Sequence, residues 1–237
     1  MVWGHFSAAH WISLVAVVMI FACLYFGLRK ASQTVQNIVL GILSFSGIVA
    51  LLHNWIRWGD LPLQLCSLTA MLLPILVFTK NDVIGNLLLM WSVGAGLALI
   101  YNTNTADAPV FSVAFNLYYF PHVMEFSIPW LMLLLGKVKK RLFCIGTTLG
   151  ITAGVYTLVH FANLLLEAAG DRAVYANYMY SMGPTTPLAQ MLWDILPCRY
   201  WYMYLALPFL LLMLMAVYAP QWKAAWKARK EKKDHLR

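Results

Sequence analysis

Seven stretches of about 20 mostly apolar residues follow one another along the chain, each long enough to cross a bilayer core of roughly 30 Å. They lie near 9–28, 36–57, 61–79, 83–101, 119–136, 142–166 and 200–219. This pattern predicts an all-α integral membrane protein, a bundle of seven transmembrane helices. The 237 residues are 62% hydrophobic and 11% charged, less than half the charged share of about 25% in a soluble domain. One transmembrane domain over 1–222 and a basic tail over 223–237 account for the whole chain. Pro62 at a first turn is harmless, whereas Pro74 inside the third stretch predicts a kink.

Charge then orients the threading. With the N-terminus outside, Arg29, Lys30, Lys80, Lys137, Lys139, Lys140 and Arg141 fall on the cytoplasmic connections. Lys223, Lys227, Arg229, Lys230, Lys232, Lys233 and Arg237 fall on a cytoplasmic tail. Only Arg57, Arg172 and Arg199 remain outside. The positive-inside rule therefore predicts an outside N-terminus and a cytoplasmic C-terminus. No Lys or Arg precedes the first stretch, so it reads as a helix and not as a cleaved signal. The net charge of +8 does not imply nucleic acid, because the basic residues flank apolar segments. The tail is expected to attract anionic lipid headgroups. The expected location is a bacterial plasma membrane, crossed many times.

Polar residues are scarce in hydrocarbon and usually face a bundle interior or a watery cavity. Here they converge at the outer ends of several stretches: His53, Asn54 and Arg57; Gln64, Cys66 and Ser67; His122 and Glu125; His160, Asn163 and Glu167; Asp194 and Arg199. Cys66 is the best nucleophile among them. A thiol reacts once a neighbouring base converts it to thiolate. His122 is the candidate base, Glu125 on the same helix face its candidate orienter, and the Gln64 amide a candidate donor to an oxyanion. Such a pair suits attack on a lipid ester carbonyl at headgroup level.

Plainer readings stand beside this one. Cys66 is also explained by packing, His122 by an interfacial position, and His53 with Arg57 by headgroup contact. Cys66 and Cys198 both lie toward the outside, so a disulfide between them is a further alternative. The four cysteines show no metal-ligand spacing, and neither metal nor cofactor is expected. The sixth stretch carries two faces. Gly146, Gly150 and Gly154 form a small-residue face expected to pack against another helix. Thr148, Thr152, Tyr156, His160, Asn163 and Glu167 form a polar stripe, either interhelical bonding or a cavity wall. Long outer connections are expected at 102–118 and 167–199.

The run Leu61-Pro62-Leu63-Gln64-Leu65-Cys66 resembles a motif of the bacterial YwaF-type integral membrane family. Phe120-Pro121-His122 and Asn177-Tyr178 also match it, as does the order of helices over nearly the whole chain. That family is distantly similar to eukaryotic transmembrane lipid acyltransferases and to membrane lipid hydrolases. The resemblance implies a seven-helix bundle with Cys66 and His122 as catalytic pair, and Asn177 and Tyr178 as loop residues near the site. One departure stands out: the family often has His where this chain has Gln64, a role that would pass to His53 or His160.

The expected function is a lipid acyltransferase or acyl hydrolase, moving an acyl chain from a membrane phospholipid or other acyl lipid through a Cys66 thioester. Two other classes compete: a small-molecule transporter or channel with a polar outer vestibule, and a scaffold whose outer loops grip a partner. Polar residues thin toward the inside, which disfavours a through-path.

Overall fold

The computed structural model describes residues 2–4, 6–101, 108–170 and 177–234, with side chains to residue 227. It is helical throughout and forms two compact units, Met1–Lys139 and Lys140–Arg237.

Among the described residues the first unit holds six helices: α1 (Ala8–Leu28), α2 (Gln33–Ser44), α3 (Ser46–Trp58), α4 (Leu65–Thr79), α5 (Asp82–Tyr101) and α6 (Val113–Leu134). Polar side chains start them. Ser7, Ser32 and Ser112 each accept a backbone N–H three residues on, at 3.2–3.3 Å. Asn81 Oδ1 accepts the N–H groups of Val83 and Ile84 at the start of α5. These bonds satisfy donors that a helix leaves open in its first turn. Gly59 ends α3 with φ +67°, the left-handed conformation glycine adopts without a Cβ clash.

Three boundaries differ from expectation. The stretch at 36–57 begins at Gln33 and breaks at Phe45, where Ser44 Oγ bonds the Gly41 carbonyl (2.7 Å) and Phe45 N–H bonds Ile42 (3.2 Å). A serine bonding back onto its own helix bends it. α4 starts at Leu65, after Pro62 and a tight Leu63-to-Leu61 turn, and not at 61. α6 starts at Val113, capped by Ser112, so His122 and Glu125 sit well inside the helix and not at its start. Part of the expected 102–118 loop is therefore helix, while 102–107 lie outside the described residues.

α4, α5 and α6 form the core of this unit, with α3 and α2 packed on α4 and α6. Leu73, Leu76, Leu88, Val123, Ile128, Leu131 and Met132 are fully buried there. At Gly47 α3 comes close to α4 and α6. A Cβ on Gly47 would stand 2.5 Å from the Ala70 Cβ and 3.5 Å from Glu125 Oε1. Only glycine lets α3 approach α4 and α6 this closely.

The second unit holds α7 (Cys144–Ala168), a short 3-10 turn at Tyr178–Tyr180, α8 (Pro187–Ile195), another at Trp201–Leu205, and α9 (Ala206–Asp234). Residues 171–176 lie outside the described residues, and α8 is a helix within the expected loop. α9 runs on through the basic segment to Asp234 and does not stop near 219.

α7 reverses one expectation. Nothing lies within 4 Å of a Cβ on Gly146, Gly150 or Gly154, and all three are exposed. The polar side is the buried one, with Thr148, Thr152, Tyr156 and Asn163 inside. Its polar atoms have partners: Thr152 Oγ1 donates to the Thr148 carbonyl (2.8 Å), and the Tyr156 hydroxyl donates to the Tyr200 carbonyl (2.7 Å). Bonded in this way, a polar face is cheap to bury.

Among the described residues, five segments are long and apolar enough to cross a membrane: Ala8–Leu28, Gln33–Trp58, Asp82–Tyr101, Cys144–Ala168 and Trp201–Lys227. Of the other two expected spans, α4 has 15 residues, about 22 Å at 1.5 Å per residue. α6 has the length but carries Asn116, His122, Glu125 and two prolines.

Candidate functional site

Cys66 occupies the first turn of α4. Its Sγ is within electrostatic reach of its own backbone N–H and of the Ser67 N–H and hydroxyl. This is the end of a helix where N–H groups lack intrahelical partners and the dipole is positive. The thiol is partly exposed, and it is one of four free cysteines with Cys23, Cys144 and Cys198. Gln64 is the N-cap of α4, with no side-chain cap bond, and is half-buried.

His122 is buried in the third turn of α6. Its Nδ1 lies 2.6 Å from the Tyr118 carbonyl one turn back. A carbonyl only accepts, so Nδ1 carries the proton and donates. In the neutral ring Nε2 is then the basic nitrogen. The Tyr118 ring lies against the imidazole, tilted by 33°, with centroids 4.3 Å apart. Backbone carbonyl and aromatic face thus hold His122 in one tautomer.

Glu125 lies one turn further along α6 and is 2% exposed. Its Oε1 reaches the Gly47–Ala70 crossing, and its Oε2 has no hydrogen-bond partner among the described residues. Ala70 is one turn below Cys66 on α4, and Glu125 is within electrostatic reach of Cys66. The Tyr118 carbonyl holds the Nδ1 position that sequence reasoning reserved for an acidic orienter. His53 is exposed on α3 and pairs with its neighbour Asn54 at 3.4 Å.

The remaining candidates belong to the second unit. Asn163 is fully buried on α7. Its Nδ2 donates to the Tyr178 carbonyl and to Ser181 Oγ, both at 2.8 Å, and its Oδ1 accepts the Tyr178 N–H at 3.2 Å. His160 Nδ1 lies 3.0 Å from Ser181 Oγ. Asn177 closes the loop on itself, bonding the Gly183 carbonyl and the Met182 N–H. The Tyr202 hydroxyl bonds the Tyr180 carbonyl. These groups pin residues 177–183 to α7. Arg199 and Glu167 pair at 3.5 Å on a half-exposed surface, worth at most about 1 kcal/mol.

The model of the TMEM164 family matches residues 5–219, nearly the whole chain. The chain belongs to the TMEM164 family. With its apolar helices, that membership makes it a multi-pass membrane protein. No curated protein and no solved structure matches it. The family match supports a membrane-protein family and does not reach as far as the YwaF-type resemblance or acyl transfer.

The sequence does offer a signal for Tyr118, which stands four residues before His122, on the same helix face. Gly47 had a signal too, one of two glycines with Gly41 inside the apolar stretch 36–57. Ser181 had none.

Proposed function

We propose that this TMEM164 family member is a membrane lipid acyltransferase or acyl hydrolase, working near the outer leaflet of a bacterial plasma membrane. Cys66 is the nucleophile and His122 its base. One observation carries the reading: His122 gives its Nδ1 proton to the Tyr118 carbonyl, which leaves Nε2 as proton acceptor on a helix packed against α4. Support comes also from the partly exposed thiol in the first turn of α4.

The reaction balances in two halves. Nε2 takes the thiol proton as Sγ attacks the ester carbonyl carbon of a phospholipid or other acyl lipid. The carbonyl oxygen gains negative charge, held by the N–H groups at the start of α4 and the Gln64 amide. The ester C–O bond breaks, and the imidazolium returns the proton to the leaving alkoxide. An acceptor hydroxyl, amine or water then loses its proton to Nε2, attacks the thioester, and releases the Cys66 thiol. His53, His160, Asn163, Asn177 and Tyr178 have no step in this scheme. Lys223 and Lys227, exposed beside Trp222 and Trp226 on α9, meet anionic lipid headgroups.

The test is metabolic labelling with an alkynyl fatty acid. Hydroxylamine-sensitive label that disappears in Cys66→Ala, and accumulates or is lost in His122→Ala, supports the reading. Hydroxylamine-resistant label, or label that survives Cys66→Ala, removes it.

A further inference from the structure

We propose that Tyr118 is a positioning residue for His122, and that Trp3 is the wedge that sets Tyr118. The proposal rests on His122 acting as the base.

Tyr118 grips the imidazole twice, by its carbonyl at Nδ1 (2.6 Å) and by its ring at 4.3 Å. The ring is itself anchored, because its hydroxyl donates to the Ala98 carbonyl of α5 at 2.9 Å. Trp3 stands behind it. The indole is fully buried, outside any helix, with its centroid 5.8 Å from Tyr118 and 4.9 Å, edge-on, from Phe115. Two hydrogen bonds fix it: Trp3 N–H to the Ala108 carbonyl and Nε1–H to Ser13 Oγ, both 2.9 Å. The segment is further tied by a bridge between Val2 and Pro109.

A buried indole is an expensive group to hold in an irregular segment, and here it has a specific seat. It closes the gap between α1 and the start of α6 and leaves the Tyr118 ring one place to lie. Removing the wedge lets the ring swing, and the imidazole follows it. A histidine freed in this way redistributes between tautomers, and the Nε2–H form has no base to offer the thiol.

The experiment uses the full chain in detergent micelles with 15N-labelled histidine, read by the 15N shifts of His122. The same samples give the pH profile of Cys66 alkylation by iodoacetamide, followed on the Cys66 peptide by mass spectrometry. The wild-type ring should be mainly the Nδ1–H tautomer. Tyr118→Ala and Trp3→Ala should move it toward Nε2–H and slow Cys66 alkylation about 10-fold, part of what a general base supplies. Trp3→Phe and Tyr118→Phe keep the rings and should fall between, which gives a readout if the alanine variants do not fold. Unmoved tautomers in the folded variants overturn the proposal. Moved tautomers with unchanged alkylation support the positioning and remove the Cys66–His122 pairing.

Discussion

Gly47→Ala adds a single methyl where α3 crosses α4. The new Cβ would stand 2.5 Å from the Ala70 Cβ and 3.2 Å from its Cα. Carbon atoms prefer about 3.5–4.0 Å, so the helices must part by roughly 1 Å. Neither Ala70 atom is the end of a flexible side chain, so the backbone has to give. Overpacking of this kind costs about 1–3 kcal/mol. Alanine recovers at most about 1 kcal/mol of helix propensity over glycine. The net expectation is a loss of about 0–2 kcal/mol, with Cys66, one turn above Ala70, displaced from α6. The companion change Ala70→Gly moves the methyl from one helix to the other and should restore most of the loss. The assay is a double-mutant cycle on thermal unfolding in detergent, with alkylation of Cys66 recorded in parallel. A coupling of about 0.5–3 kcal/mol is expected for residues in contact. Gly150→Ala serves as control: nothing lies near its Cβ, so it should be neutral or stabilising. A Gly47→Ala protein more stable than wild type, or a cycle without coupling, would refute the reasoning.

Other changes probe different parts of the fold. Asn163→Leu removes three hydrogen bonds that hold residues 177–183. At about 1 kcal/mol each it should cost about 3 kcal/mol and speed proteolytic cleavage within 171–199. Lys137, outside the spans, has its pKa held below the ordinary 10.5, first by burial and then by Lys80. Its charged form is the one the fold disfavours. Its contribution to stability therefore grows as pH rises through the folded pKa toward 10.5. Lys137→Met should flatten that alkaline rise in a melting-temperature series. Pro121→Ala returns an N–H to the Leu117 carbonyl. By restoring a bond in the turn of α6 that carries His122 it should keep or raise melting temperature, and a shift of that turn should show as slower Cys66 alkylation.

Hydropathy made the apolar stretches plain, because the bilayer admits only long apolar runs. It marks where the apolar residues stop, which is a different point from where a helix stops. That is why α9 outruns its prediction: Ala, Lys, Glu and Arg beyond Trp222 are strong helix formers and carry the helix to Asp234. α6 begins six residues before its apolar stretch because Ser112, a good cap, precedes it. The break at Phe45 depends on where the Ser44 hydroxyl turns, which residue type does not reveal. α7 offered two faces, and composition alone could not say which one turns inward. Small residues argued for the glycine face, but the hydroxyls and amide on the opposite face find partners and go inside. At the candidate site, the residue types Cys66, His122 and Glu125 were legible. The partner of Nδ1 was not, since a backbone carbonyl leaves no mark in the sequence.

Two polar regions of this protein differ in how their bonds close. On α7 the buried groups Thr152, Tyr156 and Asn163 all have partners. On α3 and α6 three do not: Ser46 Oγ, Glu125 Oε2 and Ser127 Oγ are buried without a hydrogen bond among the described residues, as is Gln221 Oε1 on α9. Proline adds to the deficit there. Pro74, Pro121 and Pro129 have no N–H, so the Ala70, Leu117 and Glu125 carbonyls lose their helical partners. Ala70 and Glu125 meet at the Gly47 crossing. In hydrocarbon each open acceptor costs free energy that water does not refund. A fold that closes its bonds on α7 has the means to close them elsewhere. Local rules tend to be broken where function needs them broken. The open groups on α3, α4 and α6 therefore fit the proposed placement of the chemistry on the helices that carry Cys66 and His122.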